Sequence, residues 1–185
     1  MPISVREVAM DDLVALMPIW DEIVAETTTL AVSDLIARIE LSLSDIGFKL
    51  YTAWDGTAAV GVACVALTDV GTWTETPGVQ VSGLHVLGRF RQRGVARLLM
   101  NAALACADSW GCSSIVASVP SASRDANRFL VKLGFVQAST NRIVDVATLR
   151  RRVSVEPRHL SIARMRRRSA GTTVPEISLR HAVGK

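Results

Sequence analysis

Aromatic residues make up only 5% of this chain of 185 residues, and tyrosine occurs once, as Tyr51. Any proton-donating tyrosine would have to be that one, which lies in an early strand-like run. Cysteine is equally sparse. Cys64, Cys106 and Cys112 are an odd number without metal-ligand spacing, which excludes a disulfide framework or a zinc motif and leaves ordinary packed thiols. No histidine is tied to any of them by a sequence signal, so a cysteine nucleophile is not indicated. No run approaches the roughly 18 apolar residues of a membrane span. Met1-Pro2-Ile3-Ser4 has neither the basic nor the apolar part of a signal peptide, and a cytoplasmic protein without membrane insertion is expected.

What is present is enough to build a core. Hydrophobic residues make up 49% and charged residues 21%, which excludes global disorder and fits one domain with an appendage. The net charge of +4 conceals an asymmetry. Residues 150–185 hold ten Lys/Arg against two Glu, a net of +8, which leaves eleven against fifteen, a net of −4, for residues 1–149. The basic character therefore belongs to the tail. Two regions are expected: an α/β domain over 1–149 and a basic tail over 150–185, partly helical or disordered.

The stretch Gly83–Leu99, GLHVLGRFRQRGVARLL, organises the domain. Val86 and Leu87 end an apolar strand pattern. Arg89, Arg91 and Arg93 make the following turn basic, and Gly94-Val95-Ala96 opens a helical pattern through Leu98, Leu99, Ala102, Ala103 and Ala107. Small residues at 94 and 96 let a ligand approach the backbone, and first-turn N–H groups have no intrahelical partners. Such a strand, basic turn and helix start form a phosphate cradle. The bland alternative is a helix start with a solvated basic edge.

Arg91-x-x-Gly94-x-Ala96 in this setting resembles the acyl-CoA pyrophosphate loop of the GCN5-related N-acetyltransferase (GNAT) family. A second block, Ala126-x-x-Phe129-Leu130-x-Lys132-Leu133-Gly134-Phe135, resembles that family's later helix and its Lys-x-Gly-Phe turn. The resemblance covers residues 3–149. It implies a GNAT acyl-CoA N-acyltransferase fold: a mixed, mostly antiparallel sheet with a central parallel V-shaped splay, flanked by helices.

The chain in order fits that architecture. Ile3–Arg6 alternates as a strand; Asp11 or Asp12 can cap a helix running past Pro18 to Val24; Ser33 can cap a second. Thr27-Thr28-Thr29 connects them. Phe48–Trp54 and Ala58–Leu67 read as a hairpin around Asp55-Gly56, Val79–Leu87 as the next strand, and Val95–Trp110 as a helix ending at Gly111. Ile115–Val119 is a strand, parallel to its predecessor because a crossover-length helix separates the two. Asp125–Leu133 is a short helix, and Phe135-Val136 with Ile143–Leu149 is expected as a closing hairpin. Beyond it come Arg150-Arg151-Arg152, Pro157, Arg164 and Arg166–Arg168.

The resemblance also implies roles. Acetyl-CoA, or another acyl-CoA, is expected on Arg91, Gln92, Arg93, Gly94, Val95, Ala96 and Arg97, with pantetheine on backbone groups of Val86 and Leu87. The Leu87 N–H is expected to face the thioester oxygen as an oxyanion donor. Ser123, Asn127, Phe129 and Leu130 are expected on the cofactor side of the later helix, where Leu130 replaces the usual proton-donating tyrosine and Ser123 the usual asparagine. For the general base, His85 shares a strand face with Leu87 and suits proton transfer near neutrality; a packed structural histidine is the equal alternative. Glu75, in the loop with Trp73, and Glu22 and Glu26 are further base candidates.

The function implied is an acyl-CoA-dependent N-acyltransferase, moving acetyl from acetyl-CoA to an amine of a small molecule or of a protein lysine or N-terminus by direct attack. The alternative is a catalytically degenerate protein of the same fold that binds acyl-CoA or a protein partner without turnover. A homodimer remains open. The tail could contact nucleic acid or an acidic protein, although no aromatic residue between 150 and 185 is there to stack on bases.

Overall fold

The hairpin at the centre of the chain follows from its own chemistry. Phe48–Asp55 (β2) and Ala58–Val70 (β3) are rich in Val, Tyr, Trp and Thr, and Gly56 takes the left-handed turn between them with φ of +62°. The computed structural model describes residues 2–26, 31–70 and 76–153. Within them Ser4–Glu7 (β1) pairs antiparallel with β2, and Thr76–Val86 (β4) antiparallel with β3. The 15-residue helix Val95–Ser109 (α3) then returns the chain so that Ile115–Ala117 (β5) pairs parallel with β4, in the sheet order β1-β2-β3-β4-β5.

Helices cover both faces. Met17–Glu26 (α1) and Val32–Leu43 (α2) precede β2, and α3 lies opposite α1. Strand alternation shows the division: a Cβ on Gly61 would lie 3.1 Å from Val95 Cγ1 of α3, whereas His85, paired across the strands with Val62, reaches α1. The core is built from Leu16, Ile19 and Trp20 on the α1 side, Leu50, Val60, Val62, Val65, Val79 and Val81 in the sheet, and Val95, Leu99 and Ala103 of α3, all buried.

Two features of β4 shape the site. Its register with β3 slips between Val62↔His85 and Cys64↔Ser82, so that β4 carries one extra residue, at Gly83–Leu84, where Gly83 has φ of +58°. On the other side, pairing with β5 spans only Val79↔Ile115 to Val81↔Ala117 and closes with the Ser118 N–H on Val81 O at 2.9 Å. β5 stops there while β4 continues to Val86. The edge of β4 beyond Val81 therefore has no strand beside it among the described residues, and this is the expected V-shaped opening.

Three local expectations are corrected. Asp11 and Asp12 do not cap a helix through Pro18. Met10–Leu16 is instead a 3-10 turn capped at Ala9, with Asp12 Oδ2 accepting the Ala9 N–H at 2.9 Å, and α1 restarts so that Pro18, which lacks an N–H, falls in its first turn. Ser33 lies inside α2, whose N-cap is Ala31 without a side-chain bond. The closing hairpin is absent: no strand is formed between Phe135 and Asp145. Asp145 instead starts the helix Val146–Val153 (α5), its Oδ1 accepting the Thr148 N–H at 3.0 Å and its carbonyl the Leu149 N–H at 2.9 Å. An Asp cap ahead of Val-Ala-Thr-Leu-Arg-Arg-Arg favours a helix over a returning strand. The compact unit carrying the sheet spans Met1–Val136, and a second unit starts at Gln137. Among the described residues no helix is long and apolar enough to cross a membrane. Thr27–Thr29, Trp73, Glu75 and the tail from 154 onward lie outside the described residues.

The first turn also carries a pH dependence. Arg6 Nη2 donates to Asp12 Oδ1 at 2.7 Å, and this bond, with the Ala9 N–H, holds the Asp12 carboxyl down at about 2. A carboxyl lowered on folding stabilises the fold above its unfolded value, near 3.9, and that contribution is lost as pH falls toward 2. Asp12→Asn should therefore flatten the acid limb of a stability curve followed by circular dichroism between about pH 4 and 2. An acid limb identical to that of the parent protein would show that the pair contributes nothing. The effect is small, because the Arg6 side chain is exposed and screened by salt.

Candidate active site

The turn after β4 is held by one buried side chain. Phe90 sits in the core below Gly88–Phe90, a short 3-10 turn, with the Arg89 and Arg93 guanidinium groups over its ring at 5.1 and 5.4 Å. Gln92 and Gly94 both take left-handed backbone, with φ of +63° and +82°. Gly94 is the N-cap of α3: its carbonyl accepts the Arg97 and Leu98 N–H groups at 3.0 and 3.1 Å, and the Val95 and Ala96 amides, as the first two of the helix, have no intrahelical acceptor. A Cβ built on Gly94 meets nothing within 4 Å. The space above the loop is open, and Arg89, Arg93 and Arg97 make no ion pair among the described residues. An anion such as a pyrophosphate fits this cradle.

Arg91 behaves differently from the other arginines. Its Nε donates to Val86 O at 2.9 Å, and its Nη2 to Glu22 Oε1 at 3.1 Å and Glu26 Oε1 at 3.4 Å. Its charge is thus committed to α1 rather than added to the loop, a correction to the expectation from the motif. Glu22 also accepts the Gly88 N–H at 3.2 Å and lies 3.4 Å from His85 Nε2, while Glu26 Oε2 lies 4.0 Å from His85 Nδ1. The His85 side chain is only 10% exposed, and its Nε2 has no hydrogen-bond partner. Beside this cluster a shallow cleft of about 330 Å³ is lined by Pro18, Glu22, Leu87, Gly88 and Arg89. His85 and Leu87 share the α1 face, as strand alternation predicts.

The Leu87 amide is not the expected oxyanion donor. It donates to Val60 O at 3.0 Å, closing the β3–β4 ladder. In an antiparallel strand, N–H and C=O of alternate residues face the same neighbour, so Leu87 and His85 face β3 while Val86 and Leu84 face the opening. The later helix is also partly committed. Arg124–Lys132 (α4) follows Ser123 as N-cap; Asn127 Nδ2 donates to Ser123 O at 2.8 Å and Pro120 O at 3.4 Å, tying the turn rather than presenting donors. Leu130 is buried and Phe129 packs against the core, whereas Ser123 is half-buried with no side-chain cap bond. Burial pushes Tyr51 up to about 12 and the Cys64 thiol up to about 11, and the Cys106 thiol also rises through burial. Such groups are inert near neutrality. Among the described residues no three His, Cys, Asp or Glu side chains form a metal-sized group.

A split β4–β5 edge thus leads into a left-handed, glycine-capped helix start. The family model described as the acetyltransferase (GNAT) family matches residues 15–135. The chain belongs to the GNAT family. Solved structures agree in fold. A transcriptional regulator from Bacillus halodurans C-125 is 22% identical with a TM-score of 0.65, the match covering 78% of this chain and 99% of that one. The aminoglycoside N-acetyltransferase AAC(6')-Iy in complex with CoA is 20% identical, TM-score 0.68, over 78% and 94%. The ribosomal-protein-alanine N-acetyltransferase from Brucella melitensis biovar Abortus 2308 is 14% identical, TM-score 0.65, over 78% and 99%. None of the curated proteins matches this chain. The matched GNAT region contains strands β2 to β5, the loop and the His85–Glu22–Arg91 cluster. Glu22 is one of several base candidates in the sequence; its contact with Gly88 spans 66 residues, and no local pattern announces it.

Proposed function

We propose that the protein is an acyl-CoA-dependent N-acyltransferase that moves acetyl from acetyl-CoA to an amine. The observation that carries this reading is the open cradle at Gly94 following an edge of β4 that has no strand beside it beyond Val81 among the described residues. The amides of Gln92–Ala96, with Arg89 and Arg93 beside them, would hold the pyrophosphate. Val86 and Leu84 would offer the pantetheine arm backbone groups at the sheet edge, and their amides replace that of Leu87 as the candidate donors to the thioester oxygen. Acetyl-CoA would supply an acyl group already activated as a thioester. Its binding in this geometry holds the reacting groups together, an effect worth roughly 7–11 kcal/mol in well-aligned systems.

On the opposite face, His85 is the candidate base, taking the proton of an amine that enters the cleft at Pro18, Glu22 and Leu87. The Glu22 and Glu26 carboxylates favour a cationic acceptor, whether a small polyamine-like molecule, an aminoglycoside or a protein amine. His85→Ala should lower turnover about 100-fold or more while leaving acetyl-CoA affinity within about twofold, as a lost general base does. Unchanged turnover across pH would remove His85 from the mechanism. Calorimetric titration with acetyl-CoA, desulfo-CoA and adenosine diphosphate, followed by thiol-release assays over an amine panel, tests the reading as a whole. Buried Leu130 in the tyrosine position supports a second reading, an acyl-CoA-binding protein without turnover. Acetyl-CoA binding with no CoA release from any amine would establish it.

A further inference from the structure

The Arg91 side chain lies across the groove that the proposed function needs open. Val86 O alternates away from β3, toward the side where β5 has already ended, so it is a backbone acceptor free to pair with an added strand or a strand-like ligand. Arg91 Nε fills it at 2.9 Å. The rest of the guanidinium is anchored on α1, at 3.1 Å from Glu22 and 3.4 Å from Glu26. The same Glu22 oxygen accepts the Gly88 N–H, so one carboxylate fastens both ends of the turn that Arg91 spans.

We propose that Arg91 is a strap over the cofactor groove, occupying the Val86 carbonyl in the ligand-free protein and setting the selectivity of the site for the amide-bearing pantetheine arm. This rests on the acyl-CoA reading above. Arg91 must leave Val86 O before that carbonyl accepts a hydrogen bond from pantetheine, and its release costs the two contacts with α1. Those contacts are half-exposed, so the strap is weak enough for a micromolar ligand to displace. Its release has a second consequence. Glu22 and Glu26 lose their guanidinium partner while staying beside His85, which leaves two carboxylates to face the ammonium group of an acceptor. Arg91 thus holds the place of the acceptor's charge until the donor has bound.

The motif position of Arg91 suggests the opposite expectation, that its charge binds phosphate, and the two separate cleanly. The full chain, Arg91→Ala, and the double variant Glu22→Gln, Glu26→Gln are titrated calorimetrically with acetyl-CoA and with adenosine diphosphate, which has the pyrophosphate but no pantetheine. The strap predicts that Arg91→Ala binds acetyl-CoA tighter, by about fivefold, with adenosine diphosphate unchanged. The double variant, which frees Arg91 and keeps its charge, should shift in the same direction. Parallel weakening of both ligands in Arg91→Ala would make Arg91 a phosphate ligand and overturn the strap, and unchanged acetyl-CoA affinity would overturn it as well. Binding of acetyl-CoA by none of the three proteins would instead overturn the acyl-CoA reading on which the strap rests.

Discussion

Gly94→Glu should abolish acetyl-CoA binding, weakening it beyond about 100-fold, while the protein remains folded. Both halves follow from the loop. A side chain at φ of +82° is strained by roughly 1–2 kcal/mol, yet a Cβ there meets nothing within 4 Å, so no packing is broken. A carboxylate at a helix N-terminus even suits the helix dipole and returns part of that cost. The same carboxylate projects into the space where a pyrophosphate would sit, adding bulk and like charge where first-turn amides should meet an anion. Calorimetry against acetyl-CoA and a thermal melt make the check. Normal binding in a folded Gly94→Glu protein would show that the loop is not the cradle.

Trp20→Ala is the stability counterpart, with an expected cost of about 3–5 kcal/mol in denaturant unfolding. Trp20 is 2% exposed, and its Nε1 donates to Leu13 O at 3.3 Å, joining the 3-10 turn to α1 under the sheet. Removing it leaves a large cavity and takes away that hydrogen bond. A domain of this kind has only about 5–15 kcal/mol in total, so the variant should lose a large part of its stability. Because α1 also brings Glu22 to Gly88 and His85, loosening it should weaken the cluster before the sheet fails. A cost below about 1 kcal/mol would mean that α1 is not locked into the core.

These two variants mark what was legible in different ways. The Gly94 loop could be read from the chain because its parts are adjacent: strand end, basic turn, small residues and helix start occur within seventeen residues, and local backbone conformation makes the site. The β2–β3 hairpin and α3 were equally legible, since turn chemistry and helical periodicity are local properties. Where a segment had two plausible periods, tertiary context or a single cap decided. Ile143–Leu149 alternates well enough for a strand, but Asp145 caps a helix there instead. Asp12 reads as a cap of one helix running past Pro18, and the structure divides the two between a 3-10 turn and the first turn of α1.

The amino-acid sequence by itself determined the family, the α/β class and the strand, turn and helix start around Gly94, because the residues that carry them lie close together in the chain. Only the tertiary structure decided which backbone amide is free and which charge is available. The direction of the Leu87 N–H depends on a one-residue bulge at Gly83–Leu84 and on Val60 across the ladder, and a bulge changes facing without changing composition. The commitment of Arg91 depends on Glu22 and Glu26, 69 and 65 residues away along the chain. Electrostatic partners act through space, and packing of α1 against β4, not spacing in the sequence, put them within reach.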